Sequence, residues 1–323
     1  MQPLADSLGY PVMNPRVNWL LFIALGFLWG SSYLFIKIGV QNGLTPFTLV
    51  AGRLFVGFCL LLTVVIAARE KLPRRPVMYL HLAVMAFINI LLPFSLITWA
   101  ERTVESSLAA TLNAPVPLFV VLIAPLVLAD ERLTLTRLMG VAIGLVGVAL
   151  LVGFDPSSIG RNDMTAEIAL IGATVSYAAG GVYARRFVHG LRPMIPAVFQ
   201  VGFAMVMALS LALIVENPLG APITPNTILA IVWLGLLGSG LAYLVFFRLL
   251  RDWGASRTAL VAYLLPVWGI TLGFLVLGEP LKASLLGGTA LVIAGIAIVN
   301  RDSTVALFRS AGLRLRLVTP RPE

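Results

Sequence analysis

Apolar runs of membrane length recur along this chain, parted by short polar joints. A helix rises about 1.5 Å per residue, so about 20 apolar residues cross the hydrocarbon of a bilayer. Ten segments meet that length, at residues 19–40, 46–68, 78–99, 106–128, 135–153, 166–187, 194–215, 227–250, 256–277 and 284–300. The joint Asp130-Glu131-Arg132 parts the fourth from the fifth, and Glu279-Pro280-Leu281-Lys282 parts the ninth from the tenth. Clusters such as Asn42-Gly43-Leu44-Thr45-Pro46 and Glu216-Asn217-Pro218-Leu219-Gly220 mark turns. The pattern predicts an all-α integral membrane protein.

The segments repeat. Trp29 to Lys37 aligns with Tyr177 to Arg185 at an offset of 148, Pro117 with Pro266 at 149, and Glu131-Arg132-Leu133-Thr134 with Glu279-Pro280-Leu281-Lys282 at 148. Each copy holds five segments, and an odd number turns the second copy upside down relative to the first. The expected fold is therefore a 5+5 inverted-topology repeat around a central cavity, a common plan of secondary transporters. The expected division is a tail over 1–18, a first five-helix unit over 19–153 and an outer connection over 154–165. A second unit follows over 166–300, then a basic tail over 301–323.

Charge sets the orientation. With the N-terminus in the cytoplasm, only Lys37, Arg53, Arg102, Arg161 and Lys282 of the 23 basic residues fall on the outer side. The outer joints carry Glu101, Glu105, Asp155, Asp163, Glu167 and Glu216 instead. The excess of Lys and Arg on one side predicts both termini in the cytoplasm.

Composition agrees: 59% of residues are hydrophobic and 11% charged, with a mean hydropathy of +0.97. The net charge of +9 is spread over joints rather than gathered on one face, which speaks against nucleic acid as a partner. Cys59 is the only cysteine, so a disulfide framework and a cysteine metal site are excluded. The first segment lacks the charged start and small-residue end of a signal peptide, and reads as a retained span. Val305, Leu307, Phe308, Leu313, Leu315 and Leu317 mix with arginines in the tail, which reads as a basic tail adding to topology.

Candidate chemistry sits inside the spans. Gly140, Gly144 and Gly147 in the fifth and Gly288 and Gly295 in the tenth permit close helix approach, as a scaffold or a homodimer contact. Pro117 and Pro266 are repeat partners that predict broken fourth and ninth helices facing the cavity. Polar groups in hydrocarbon should face a wet interior. On that ground the candidate substrate-binding residues are Trp29, Ser32, Tyr33, Asn89, Trp99, Asn113, Tyr177, Tyr243, Tyr263 and Trp268. For Trp99 a place in the aromatic belt at a membrane interface is an equal reading.

Absences narrow the function. No Asp, Glu or His occupies the middle of a span; His81 opens the third and His189 follows the sixth. No Gly-x-x-x-x-Gly-Lys phosphate loop is present, so ATP hydrolysis by that route is excluded, and no cofactor or metal is expected. Lys37 and Arg53 could attract an anionic or carboxylate-bearing substrate, although such residues more often snorkel to the interface. Glu131 and Glu279 read as helix caps or arginine partners.

Several runs resemble the EamA-type branch of the drug/metabolite transporter superfamily. They are Phe27-Leu28-Trp29-Gly30-Ser31-Ser32-Tyr33 through Lys37, Arg53-Leu54-Phe55, and Ser107-Leu108-Ala109-Ala110 through Pro117-Leu118-Phe119 to Asp130-Glu131-Arg132-Leu133. In the second half they are Gly238-Ser239-Gly240-Leu241-Ala242-Tyr243, Ala255-Ser256-Arg257, Tyr263-Leu264-Leu265-Pro266-Val267 and Leu277-Gly278-Glu279-Pro280-Leu281. The resemblance spans residues 19–300 and departs from the usual sixth-span start at Tyr177-Ala178-Ala179-Gly180-Gly181. It implies ten helices, a cavity lined by spans 1, 3, 4, 6, 8 and 9, and export of amino acids, related metabolites or toxic compounds.

The leading expectation is thus a carrier in the cytoplasmic membrane that moves small metabolites by alternating access. A nucleotide sugar, phosphorylated metabolite or drug is the alternative cargo. A membrane enzyme would rest on Asp130, Glu131 and Arg132, which lack histidine support, and a scaffold has no need of polar interiors.

Overall fold

The computed structural model describes residues 15–70, 72–129, 131, 133–153, 162–188, 191–192 and 194–301. The helices in chain order are α1 (Pro15–Gln41), α2 (Pro46–Ala67), α3 (Pro76–Ala100), α4 (Ser106–Val127) and α5 (Leu135–Val152). They continue with α6 (Asn162–Phe187), α7 (Met194–Val215), α8 (Pro225–Trp253), α9 (Ala259–Leu277) and α10 (Ala283–Val299). Among the described residues nine helices are long and apolar enough to cross a membrane, and α10 adds a shorter apolar helix of 17 residues. The chain is an integral membrane protein of helices. Most starts and ends lie within a few residues of the sequence pattern. The exceptions are α1, which begins at Pro15, and α6, which begins at Asn162 inside the expected outer connection. Residues 1–14 of the N-terminal tail, 154–161 of that connection, Asp130, Arg132, His189 and the basic tail from 302 lie outside the described residues.

Local chemistry explains the boundaries. Pro46, Pro76 and Pro225 open α2, α3 and α8, where the missing N–H has no partner to lose. Thr134 caps α5 by accepting the Arg137 N–H, and Gly153 ends that helix at φ +57°, a conformation a side chain would resist. Large apolar side chains such as Leu126, Ile214 and Leu275 cover the outside, as lipid contact requires.

The interior helices are irregular where the prolines and glycines fall. Pro93 removes a donor from α3, which passes through a π turn at Phe87–Leu91. In α4 the break lies between the segments Ser106–Asn113 and Val116–Val127, so it centres on Pro115 rather than on Pro117. Pro117 is the second residue of the later segment, where a helix start tolerates a missing N–H. Likewise α9 begins as a 3-10 turn at Ala259–Tyr263 and becomes α-helical from Leu264, just before the buried Pro266.

Helices α5 and α10 meet backbone to backbone and run antiparallel. A Cβ at Gly140 would lie 2.8 Å from the Gly295 carbonyl, and one at Gly147 would lie 2.8 Å from the Gly288 carbonyl. Only glycine fits such a contact. The glycine faces expected to serve as a scaffold or a homodimer contact are therefore occupied by each other within one chain. The rest of the interior is formed by α1, α3, α4, α6, α8 and α9, with α2 packed against both α3 and α8 and α7 packed against α2 and α3.

Candidate functional site

A cavity of about 1100 Å³ lies between these interior helices. Its deep part is lined by Trp29, Ser32 and Tyr33 of α1, Asn89 and Phe94 of α3, and Asn113 and Pro117 of α4. From the second half come Tyr177 of α6 and Tyr243 and Phe246 of α8. The wide end carries Glu131, Thr134, Arg137, Asn300 and Arg301. Amphipathic aromatics fit this role because each offers an apolar face and, for Trp and Tyr, one polar handle.

The polar residues are held in place by one another. Asn113 Nδ2 donates to the Tyr33 hydroxyl at 2.6 Å, and Thr174 Oγ1 donates to the Leu112 carbonyl at 2.8 Å beside the break in α4. Asn89 Nδ2 donates to Gln200 Oε1 of α7 at 3.2 Å. A Cβ on Gly180 would come within 2.7 Å of Asn89 Oδ1, so α6 approaches Asn89 closely only because Gly180 lacks a side chain. Ser176 Oγ donates to the Ile88 carbonyl within the π turn of α3, a group that a regular helix would have kept occupied.

Of the residues expected at the site, Trp29, Ser32, Tyr33, Asn89, Asn113, Pro117, Tyr177 and Tyr243 share this lining. Trp99 does not; it is 39% exposed and borders a separate hollow with Phe47 of α2 and Val215 of α7. Trp268 packs edge-on against Phe27 and fills the space left by Gly30. Tyr263 packs into the apolar core around α1, α8 and α9, and Pro266 is buried a turn further along α9, both outside the lining. Helix rotation separates these residues from their cavity-facing neighbours Ala262 and Leu265.

Arg53 is the residue whose place the sequence left open. Instead of snorkelling to an interface it is 3% exposed and lines the deep cavity. Its guanidinium stacks 4.2 Å from the centroid of the Phe94 ring, and Nε donates to Ser239 Oγ at 3.3 Å. The signal that could have found it was the glycine run Gly235, Gly238 and Gly240 on α8, which brings that helix close to α2.

The narrow end is sealed by charged groups on backbone. Lys37 Nζ donates to the carbonyls of Glu101 at 2.7 Å and Val104 at 2.8 Å, just past the end of α3. Glu279 accepts from Ser106 N at 2.7 Å, Ser106 Oγ at 2.8 Å and Ser107 N at 2.9 Å, at the start of α4. It caps a helix of the other half, not the α10 it precedes in sequence. Glu101 is fully buried there, with neither carboxylate oxygen hydrogen-bonded among the described residues. At the wide end, Glu131 pairs with Arg137 at 2.9 Å and with Arg185. Arg185 first, and then Arg137, hold its carboxyl below the usual carboxylate range. Among the described residues no three His, Cys, Asp or Glu side chains gather as a metal cluster.

Known proteins resemble this chain along most of its length. It is 23% identical to the uncharacterized transporter YoaV of Bacillus subtilis, covering 85% of this chain and 93% of that protein. It is 30% identical to the uncharacterized inner membrane transporter YedA of Escherichia coli, covering 80% and 82% respectively. A Salmonella typhimurium protein named "probable amino-acid metabolite efflux pump" is 25% identical, with coverages of 88% and 94%. One solved crystal structure superposes with a TM-score of 0.65 at 21% identity, over 88% of this chain and 97% of that one, which supports the fold. The profile of the EamA-like transporter family matches residues 18–153 and again 164–301. With a helical membrane fold, a polar cavity between its helices and a family match in each half, the chain belongs to the EamA-like transporter family.

Proposed function

We propose that this protein is a secondary transporter exporting small metabolites, amino acids or related compounds foremost, across the cytoplasmic membrane by alternating access. In this reading ten helices cross the bilayer as two inverted five-helix repeats, both termini are cytoplasmic, and ATP is not hydrolysed. The observation that carries it is the cavity: its lining reaches exposed residues at the Arg137 and Arg301 end and stops short of the buried Lys37 and Glu279 at the other. A site between two halves, reachable from one side at a time, is what alternating access requires.

The antiparallel glycine contact supports the inverted arrangement. Gly140 and Gly288 are repeat partners at the offset of 148, as are Gly147 and Gly295. In the bundle Gly140 meets Gly295 while Gly147 meets Gly288. A two-fold axis in the membrane plane produces such an exchange. The Salmonella relative's name supports amino-acid metabolites as cargo.

The same exchange describes the second state. Lys37 and Arg185 are repeat partners, as are Glu279 and Glu131. At the closed end the pair caps the joint between α3 and α4; at the open end its counterparts pair with each other. In the opposite state Lys37 pairs with Glu279, while Arg185 and Glu131 turn to the joint between α8 and α9. Counterflow of labelled amino acids in proteoliposomes tests the function. Saturable exchange is expected, and its absence across amino acids, organic acids and amines would remove the proposal.

A further inference from the structure

We infer that the substrate carries a carboxylate and that Arg53 is its anchor, a reading that rests on the transporter proposal above and names the chemistry of its site. A guanidinium offers five donors in a planar fork. Among the described residues the one side-chain hydrogen bond of Arg53 is from Nε, to Ser239 Oγ. Neither terminal nitrogen has a hydrogen-bond acceptor, and no carboxylate lies at ion-pair distance, among the described residues. Yet the residue is 3% exposed. Glu101 acts on it electrostatically, but from beyond ion-pair distance. A cation buried in a membrane protein with no carboxylate in contact is costly, and such residues mark binding sites.

The surroundings are shaped for a planar anion. Phe94 covers one face of the guanidinium, which leaves its edge as the donor surface. Gly238 borders the other end: a Cβ there would stand 3.4 Å from Arg53 Nη2 and 2.9 Å from Ser32 Oγ. The missing side chain keeps the space beside Nη2 open to the cavity. A structural role, tying α2 to α8, is met by Nε alone and does not need that space.

Charge and lining define the rest of the ligand. The other charged lining residues, Glu131, Arg137 and Arg301, lie at the wide end, and Glu131 is already paired there. Among the described lining residues no second cation stands at the depth of Arg53 to share a dianionic phosphate. Among the described lining residues no acid stands there to hold an ammonium either; Glu101 is fully buried and takes no part in the lining. Trp29, Tyr243 and Phe246 supply aromatic surface for an apolar body. The favoured ligand is an organic monocarboxylate, whose amino group, if it has one, is not the anchor.

Four matched probes test this on the full-length protein: L-phenylalanine, 3-phenylpropanoate, phenylalaninamide and phenylethylamine. Binding is read by thermal stabilisation in detergent and transport by counterflow in proteoliposomes. Both acids are expected to bind at least about tenfold more tightly than the amide and the amine, the value of one charge-assisted bidentate contact. Arg53→Gln should abolish that preference and Arg53→Lys should retain part of it. Gly238→Val should weaken the acids without favouring the amine. Equal or better binding of the amine or amide by the parent protein would overturn the anchor, whether or not the variants fold. So would an acid preference that survives in Arg53→Gln. Saturable amine counterflow without a carboxylate preference would overturn the anchor and leave the transporter standing. No binding or counterflow with any of the four would count against both.

Discussion

The Glu279 carboxylate accepts the Ser106 backbone N–H at 2.7 Å, so the joint before α10 is tied to the first turn of α4. Its repeat partner Glu131 pairs instead with Arg137 and Arg185. Two carboxylates 148 residues apart in the chain thus hold opposite ends of the cavity by two different sets of bonds. A charged acceptor on helix N–H groups is worth about 1.5–3 kcal/mol, enough to bias which end is closed.

Weakening that tie should open the narrow end. In a Cys59→Ala background, Ser32→Cys places a reporter thiol in the cavity. Glu279→Gln is expected to raise its labelling from the Glu279 side by about fivefold or more, using a membrane-impermeant reagent. Lys37→Met should act in the same direction, because the Glu101 and Val104 carbonyls lose their donor. Unchanged labelling in both variants would show that these bonds do not seal the cavity.

The Asn113–Tyr33 bond should be costly to break from either side. Asn113→Leu leaves a buried phenol without its donor and should destabilise by about 1–3 kcal/mol. Tyr33→Phe should cost a similar amount, since Asn113 Nδ2 loses its acceptor and Thr174 Oγ1 donates to the other end of the amide. Thermal unfolding of the single and double variants measures the coupling.

At the α5–α10 contact, Gly147→Ala should destabilise by about 1–3 kcal/mol, because the new methyl meets the Gly288 carbonyl at 2.8 Å. Gly181→Ala on α6 is the control: nothing lies within 4 Å of its Cβ, and alanine favours a helix interior. It should be neutral or slightly stabilising. Equal effects at the two positions would mean that backbone approach is not what selects glycine at 147.

Acidification should loosen the Glu131 cluster. Its carboxyl is held low by Arg185 and Arg137, so the contribution is complete above the unfolded value of about 4.3 and fades as pH falls through the lower folded value. The melting temperature of the parent should exceed that of Glu131→Gln at about pH 7, and the gap should close on titration toward about pH 3. A gap independent of pH would assign the difference to packing.

Much of this was legible in the chain itself. The apolar runs, the duplicated motifs and the glycines of the fifth and tenth segments are local or periodic features, and most helix boundaries follow from prolines, caps and glycines close to them. Trp29, Asn89, Asn113, Tyr177 and Tyr243 stood out as polar or amphipathic groups inside apolar runs, and burial in a shared lining is where such groups find partners. Trp99, Tyr263 and Trp268 met the same criterion yet pack elsewhere. The period of a helix says which residues share a face, but not which face turns inward.

Sequence alone determined that this is a chain of membrane helices, because length and hydropathy need no knowledge of distant contacts. Tertiary structure decided what the charges do. Arg53 sits near the start of its span, where a cation could reach either the interface or the interior. Only the close approach of α8, through Gly235 and Gly238, and the ring of Phe94 draw it into the cavity. Glu279 likewise finds its partners at Ser106 and Ser107, which lie 173 and 172 residues away in the chain. Depth and pairing depend on how separate helices are rotated and docked, and that information is distributed over the whole bundle.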